Sequence, residues 1–170
     1  MKSISKLICL FLTMSIFITM SGYAAQNHTA YINENGEVIE TGIDIIVDGA
    51  ALDFSGVHEP VIIDGRTLIP MRKLFETLNA EVSWDENEQS ITASSNGTTV
   101  KLFIDNSVMY VNGVSTVLDT APRLMKYNDN FDTTMVPVRA VSESFSCDVN
   151  WDEENYSVII TTIPTETTAP

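Results

Sequence analysis

Two stretches decide the fold: Thr67–Ala93, TLIPMRKLFETLNAEVSWDENEQSITA, and Thr134–Ile160, TMVPVRAVSESFSCDVNWDEENYSVII. They align without a gap at an offset of 67 residues. Identical pairs are Thr67/Thr134, Pro70/Pro137, Arg72/Arg139, Glu76/Glu143, Val82/Val149, Trp84/Trp151, Asp85/Asp152, Glu86/Glu153 and Ser90/Ser157. Average residue frequencies give about one or two identities over such a span. Apolar character is also kept at Leu68/Met135, Ile69/Val136, Leu74/Val141, Leu78/Phe145 and Ile91/Val158. The two tryptophans of the chain fall in register, so the stretches read as an internal repeat.

Each copy has a local physical reading. Pro70 is expected to open a helix, because its missing N–H costs nothing at the first helical position. Met71, Leu74, Phe75 and Leu78 then lie at i, i+3, i+4 and i+7, which is one apolar stripe. Asn79 suits the left-handed residue that ends such a helix. Glu81–Trp84 alternates as a strand, Asp85–Glu88 is a polar turn, and Gln89–Ala93 returns as a strand. In the second copy Pro137 opens, Val138, Val141 and Phe145 form the stripe, Asp148–Trp151 is a strand and Tyr156–Thr162 returns.

Thr67–Ile69 opens the first copy as a short extended run, and outside the copies Val61–Asp64, Thr98–Ile104 and Val108–Val111 read as further strands. Asp48-Gly49, Asp64-Gly65 and Asn112-Gly113 are turn dipeptides, since both residues tolerate positive φ. Ile46–Gly49 resembles Tyr110–Gly113 at an offset of 64, so each unit is expected to begin with a hairpin. The expected class is α+β: two tandem repeat units of mostly antiparallel strands, each with one short helix. The units are placed at about 43–95 and 98–163 within one domain, 43–163.

The ends read differently. Lys2 and Lys6 precede an apolar run, Leu7–Met20, and the small residues around Ala24-Ala25 offer a cleavage point. Residues 1–25 are therefore expected to be a signal peptide, with membrane contact only through this segment before cleavage. Residues 26–42 are expected to be a flexible leader with one strand near Ala30–Ile32, and 164–170 a Thr/Pro-rich tail. The expected address is secreted or at the cell envelope.

Composition narrows the partners. The 170 residues are 44% hydrophobic and 19% charged, ordinary for a globular chain. Nine basic residues face 23 acidic ones, for a net charge of -14. Loss of Lys2 and Lys6 leaves seven basic residues, and loss of Cys9 leaves Cys147 as a lone thiol. Such an acidic surface repels nucleic-acid backbones and anionic lipid. It suits a cationic partner, and the partners expected are a cell-wall polymer or another exported protein.

The motifs VDGAALDF (Val47–Phe54), PVIIDGRTLIPMR (Pro60–Arg72) and the doubled V-x-W-D of Val82–Asp85 and Val149–Asp152 resemble the copper amine oxidase N-terminal-like domain family. The resemblance spans about Ile43–Ile163. It departs where Asp64-Gly65-Arg66-Thr67 is answered by Phe131-Asp132-Thr133-Thr134, without the Gly and Arg. It implies an exported surface module of Gram-positive bacteria, not an oxidase, because the domain is an appendage remote from the copper site of the enzymes it is named after. The enzymes' copper takes three histidines, and this chain has His28 and His58. Their quinone comes from a Tyr in Asn-Tyr-Asp or Asn-Tyr-Glu, whereas here Asn155-Tyr156 is followed by Ser157.

No catalytic, cofactor-binding or metal-binding residue is assigned, and no cofactor is expected. Pro70, Arg72, Glu76, Trp84, Asp85, Pro137, Arg139, Glu143, Trp151 and Asp152 are read as a structural repeat signature. Arg72/Glu76 and Arg139/Glu143 are expected to form i,i+4 ion pairs on a helix face, or each Arg to reach a neighbouring loop carbonyl instead. The two tryptophans are expected to pack over the helices as core. The function expected is a non-catalytic module for interaction or scaffolding at the bacterial envelope. The alternatives are a wall-glycan hydrolase using Glu76 or Glu143, and an envelope protein binding calcium at the acidic turns Asp85/Glu86/Glu88 and Asp152/Glu153/Glu154.

Overall fold

The structure, a computed structural model, describes residues 29–33, 35–127 and 132–164. The expected signal segment and its cleavage point lie outside the described residues, as does the tail from 165 on. In chain order the elements are β1 (Thr29–Ile32), β2 (Val38–Thr41), β3 (Asp44–Val47), β4 (Ala50–Ala51), β5 (Val61–Ile63), β6 (Arg66–Pro70) and α1 (Met71–Thr77). There follow β7 (Glu81–Asp85), β8 (Ser90–Ser95), β9 (Thr98–Phe103), β10 (Val108–Val111), β11 (Val114–Val117) and β12 (Arg123–Lys126). The chain closes with β13 (Asp132–Pro137), α2 (Val138–Ser144), β14 (Cys147–Asp152) and β15 (Ser157–Thr162).

The local chemistry explains these boundaries. Asp48-Gly49 and Asn112-Gly113 hold φ of 48°/81° and 49°/81°, the two positive values of a type I′ hairpin turn. Pro70 and Pro137 are the last residues of β6 and β13 and cap the helices with extended ψ of 120° and 115°. They stand one position before the helical residue expected of them, because each is still held in a strand ladder. α1 ends in a Schellman motif: Ala80 N–H donates to Phe75 O at 2.9 Å and Asn79 N–H to Glu76 O at 3.1 Å, with Asn79 at φ 51°. Ser146, at φ 60°, takes the same left-handed place after α2.

The strands form three sheets, ordered β1-β2-β5-β6-β13-β12, β11-β10-β9-β8-β7 and β14-β15-β3-β4. Pairing is antiparallel apart from β3 with β15, which run parallel from Asp44 opposite Ser157 to Val47 opposite Ile160. β6 and β13 pair so that Ile69 lies opposite Val136, the position 67 residues later, with Leu68 opposite Pro137 and Pro70 opposite Met135. That register is a local two-fold relation between the two matched strands.

Alternation divides the core. Ile62, Ile69 and Val136 project from one face of the first sheet into the main core, where they meet Leu74 and Phe75 of α1 and Val138 and Val141 of α2. Phe75 also meets Phe145 edge-on, with ring centroids 6.2 Å apart. On the opposite face Val61, Ile63, Leu68 and Met135 join Ile39 in a second buried cluster. The main core draws on all three sheets and both helices, so the fold is α+β, mostly antiparallel, with two short helices.

Two expectations change. Within 26–42, read as a leader with one strand, β1 (Thr29–Ile32) and β2 (Val38–Thr41) pair antiparallel, and β2 pairs with β5. Ile39 is fully buried there, which a flexible segment would not allow. The division at 43–95 and 98–163 also does not follow the sheets. Hairpin β3–β4 joins β14–β15, while β9, β10 and β11 join β7–β8. Each early hairpin thus completes the sheet of the other stretch, because its buried face finds a partner strand there.

Candidate functional site

Helix α2 and strand β14 build one side of a cleft of about 1100 Å³. The 3.6-residue period puts Val138, Val141 and Ser142 inward and leaves Arg139 and Glu143 exposed. On β14 the two-residue period aligns Cys147, Val149 and Trp151 on the inner face, with Asp148 and Asn150 outside. The Arg139 guanidinium donates to the Val149 carbonyl, tying helix to strand, and lies 3.5 Å from Glu143 Oε1. Thr67 and Arg66 of β6, residues 116–120 after and within β11, and Glu40 of β2 complete the walls.

The floor is apolar: Ile62, Met109, Leu118, Val138, Val149 and Val158 line it and are buried. The rim is charged. Arg66 donates to Asp119 Oδ2 from Nε at 3.0 Å and lies within 2.9 Å of it at Nη2. Trp151 and Tyr156 stand edge to face with centroids 5.0 Å apart. Trp151 Nε1 donates to Glu153 Oε2 at 2.6 Å, and the Tyr156 hydroxyl donates to the Glu40 carboxylate. Burial, reinforced by the Glu40 carboxylate, pushes the Tyr156 phenol well above its ordinary pKa, so it remains a proton donor.

The turn beneath this wall is shaped by Asp152. Its Oδ1 accepts from the N–H of Glu154 at 3.0 Å and of Asn155 at 3.1 Å. These bonds and the Asn155 side chain hold its carboxyl below the usual range, the side-chain bond being the largest cause. Asp85 does the same for its own turn, accepting from Asn87 at 2.9 Å and Glu88 at 3.1 Å. Glu88 is held low by the Lys101 ammonium, with which it forms an ion pair. Asp85 and Asp152 thus close their turns in Asx fashion, and Glu88 pairs with Lys101 of β9.

The signature residues therefore separate. Pro137, Arg139, Glu143 and Trp151 meet in the cleft, whereas Pro70, Arg72, Glu76, Trp84 and Asp85 lie outside it. The expected Arg72–Glu76 pair does not form among the described residues; both side chains are exposed. Trp84 is also not core, being 45% exposed on β7, and its neighbour Val82 is 40% exposed against 3% for the matched Val149. The physical reason is position: β7 ends the five-stranded sheet with every residue exposed, and no Arg72 bond draws α1 onto it as Arg139 draws α2 onto β14. Trp151 is half-buried against the core, so it serves both packing and the cleft wall.

Sequence reasoning missed Glu40, Arg66, Asp119 and Tyr156 as cleft residues. Only the Arg66 position carried a signal, as a place where the two copies differ. His58 stacks on Tyr127 at 3.5 Å and 9° and bonds to Thr133, while His28 is outside the described residues. Among the described residues no group of three His, Cys, Asp or Glu side chains is arranged to hold a metal ion. Cys147 is buried, and burial together with Asp48 raises its thiol pKa, the opposite of an activated nucleophile.

Comparison with known proteins agrees with the motifs. No curated protein matches the sequence. The profile of the copper amine oxidase N-terminal domain matches residues 46–160, which is more than half of the chain and includes both tryptophan strands, both helices and the strand pair joining them. Such a domain is compatible with a non-catalytic accessory role. The chain belongs to the copper amine oxidase N-terminal domain family.

Proposed function

We propose that the protein is a non-catalytic module exported to the bacterial envelope, where its cleft serves interaction or scaffolding with a wall polymer or another exported protein. Export is supported by Lys2 and Lys6, the Leu7–Met20 run and the Ala24-Ala25 site. The duplicated-unit reading is supported by Ile69 lying opposite Val136. The observation that carries the functional reading is the state of the cleft carboxylates. Glu40, Asp119, Glu143 and Glu153 each face a donor from the cleft wall: Tyr156, Arg66, Arg139 and Trp151. Carboxylates each tied to a neighbouring donor are held in place, which supports a recognition surface over a general acid that must give up its proton to a leaving group. Glu76, the other acid of the hydrolase reading, lies outside the cleft.

The test is retention of residues 26–170 on purified insoluble wall and on immobilised exported proteins. Retention on one of these, lost with Trp151→Ala and kept with Trp84→Ala, is the expected result. Release of soluble glycan fragments, abolished by Glu143→Gln, would refute the non-catalytic reading in favour of a hydrolase.

A further inference from the structure

Resting on that reading, we propose that the cleft takes a linear oligosaccharide carrying protonated amines. Three observations converge on this chemistry. The first is shape. A volume of about 1100 Å³ exceeds the roughly 300–1,000 Å³ of small-molecule pockets, so it has room for several linked rings. The second is the wall. A pyranose ring presents C–H groups on its faces and hydroxyls at its edge. The half-buried Trp151 and Tyr156, with ring planes 78° apart, bring aromatic surface into the cleft lining beside Glu153 and Glu40.

The third is the unspent acceptor capacity of the rim. Asp119 receives both Arg66 bonds on Oδ2, Glu153 receives Trp151 on Oε2, and Glu143 faces Arg139 with Oε1. The second oxygen of each carboxylate accepts no hydrogen bond among the described residues. The side chains of Glu143 and Asp119 are 51% and 73% exposed, and Glu153 is exposed. Leaving aside Glu40, which is engaged by Tyr156, carboxylates still outnumber guanidinium groups in the lining, three (Asp119, Glu143, Glu153) to two (Arg66, Arg139). A ligand bearing ammonium groups completes that charge, and a cation beside an indole gains a further attraction. Arg66 and Arg139 remain as donors for hydroxyl oxygens.

The test uses Trp84→Phe, which leaves Trp151 as the sole indole and alters nothing in the cleft. A glucosamine hexamer is titrated while Trp151 emission is followed, beside its fully N-acetylated counterpart, an acidic uronate hexamer and a lysine-rich peptide. The expected result is saturable binding of the amine hexamer, about tenfold or more tighter than the acetylated one and tighter than the peptide. Glu143→Gln with Glu153→Gln removes the preference for amine, read by calorimetry on a variant whose far-ultraviolet dichroism is unchanged. Equal binding of the peptide would show that charge alone is read and would overturn the proposal. Equal binding of the acetylated or acidic hexamer, or binding of none, would overturn it too. If no sugar binds yet envelope retention still depends on Trp151, the saccharide proposal fails while the interaction reading stands. If retention is also indifferent to Trp151, both fail.

Discussion

The parallel pairing of β3 with β15 predicts that the beginning of the domain stabilises its end. Ile45 is the residue to test. It is 1% exposed, lies opposite Val158 and belongs to the main core. Ile45→Ala removes three carbons, worth about 2.4 kcal/mol at ~0.8 kcal/mol per buried CH₂. The incompletely collapsed cavity adds to this, so the total falls at about 3–4 kcal/mol, within the 2–5 kcal/mol typical of such deletions. With a urea m-value near 2 kcal/mol/M, the midpoint falls by roughly 1.5–2 M. The assay is urea unfolding followed by both dichroism and tryptophan emission. Val114→Ala is the control, because Val114 is 69% exposed and its truncation changes stability by less than about 0.5 kcal/mol. Coincident transitions, both shifted, are expected, since one core serves both halves. A shift below about 0.5 M, or a fragment 98–163 that folds cooperatively alone, would refute the interleaved arrangement.

Other outcomes follow from the asymmetry of the matched residues. Arg139→Ala loses the bond to the Val149 carbonyl and costs about 1 kcal/mol in thermal or urea unfolding. Arg72→Ala, at an exposed site without the corresponding bond, stays within about 0.5 kcal/mol. Glu37 is held below its ordinary pKa chiefly by its hydrogen bond from Arg123, and Asp152 chiefly by its bond from Asn155. Depressed carboxyls stabilise the fold above their unfolded values and lose that contribution as pH falls through the folded ones. Stability is therefore expected to decline below about pH 4–5. Glu37→Gln with Asp152→Asn should flatten that decline; an unchanged pH profile contradicts the assignment. Cys147 should react with an aromatic disulfide reagent roughly tenfold or more slowly in the native protein than in urea, since burial both shields it and disfavours its thiolate. Equal rates in the two conditions would contradict the buried, thiol-protonated state.

Much of the fold was legible before any coordinate, for a local reason. Turn dipeptides such as Asp48-Gly49 set their own φ, the Leu74/Phe75/Leu78 stripe needs a helix to bury it, and Asn79 ends that helix by geometry available within five residues. These signals depend on neighbours in sequence, so two similar stretches yield two similar sets of elements. The copper amine oxidase N-terminal domain motifs were legible on the same basis, since they sit in those elements.

Which hairpin pairs with which sheet was decided only by the tertiary structure. β3 could bury Ile45 against several strands of equal pattern, and the one it chose lies more than a hundred residues away. The cleft arose in the same way. Arg72 and Arg139 are identical in local sequence logic, yet among the described residues only Arg139 reaches a strand carbonyl, and α2 covers β14 while β7 and Trp84 stay in solvent. Tyr156 meets Trp151 within the β14–β15 hairpin, but Glu40, Arg66 and Asp119 come from three separate elements or turns and join that wall of the cleft only once the sheets are packed. By itself the amino-acid sequence determined the parts, through short-range sterics and periodicity; packing determined which of two matching surfaces was covered and built into the cleft and which stayed in solvent, because burial depends on what the rest of the chain brings near.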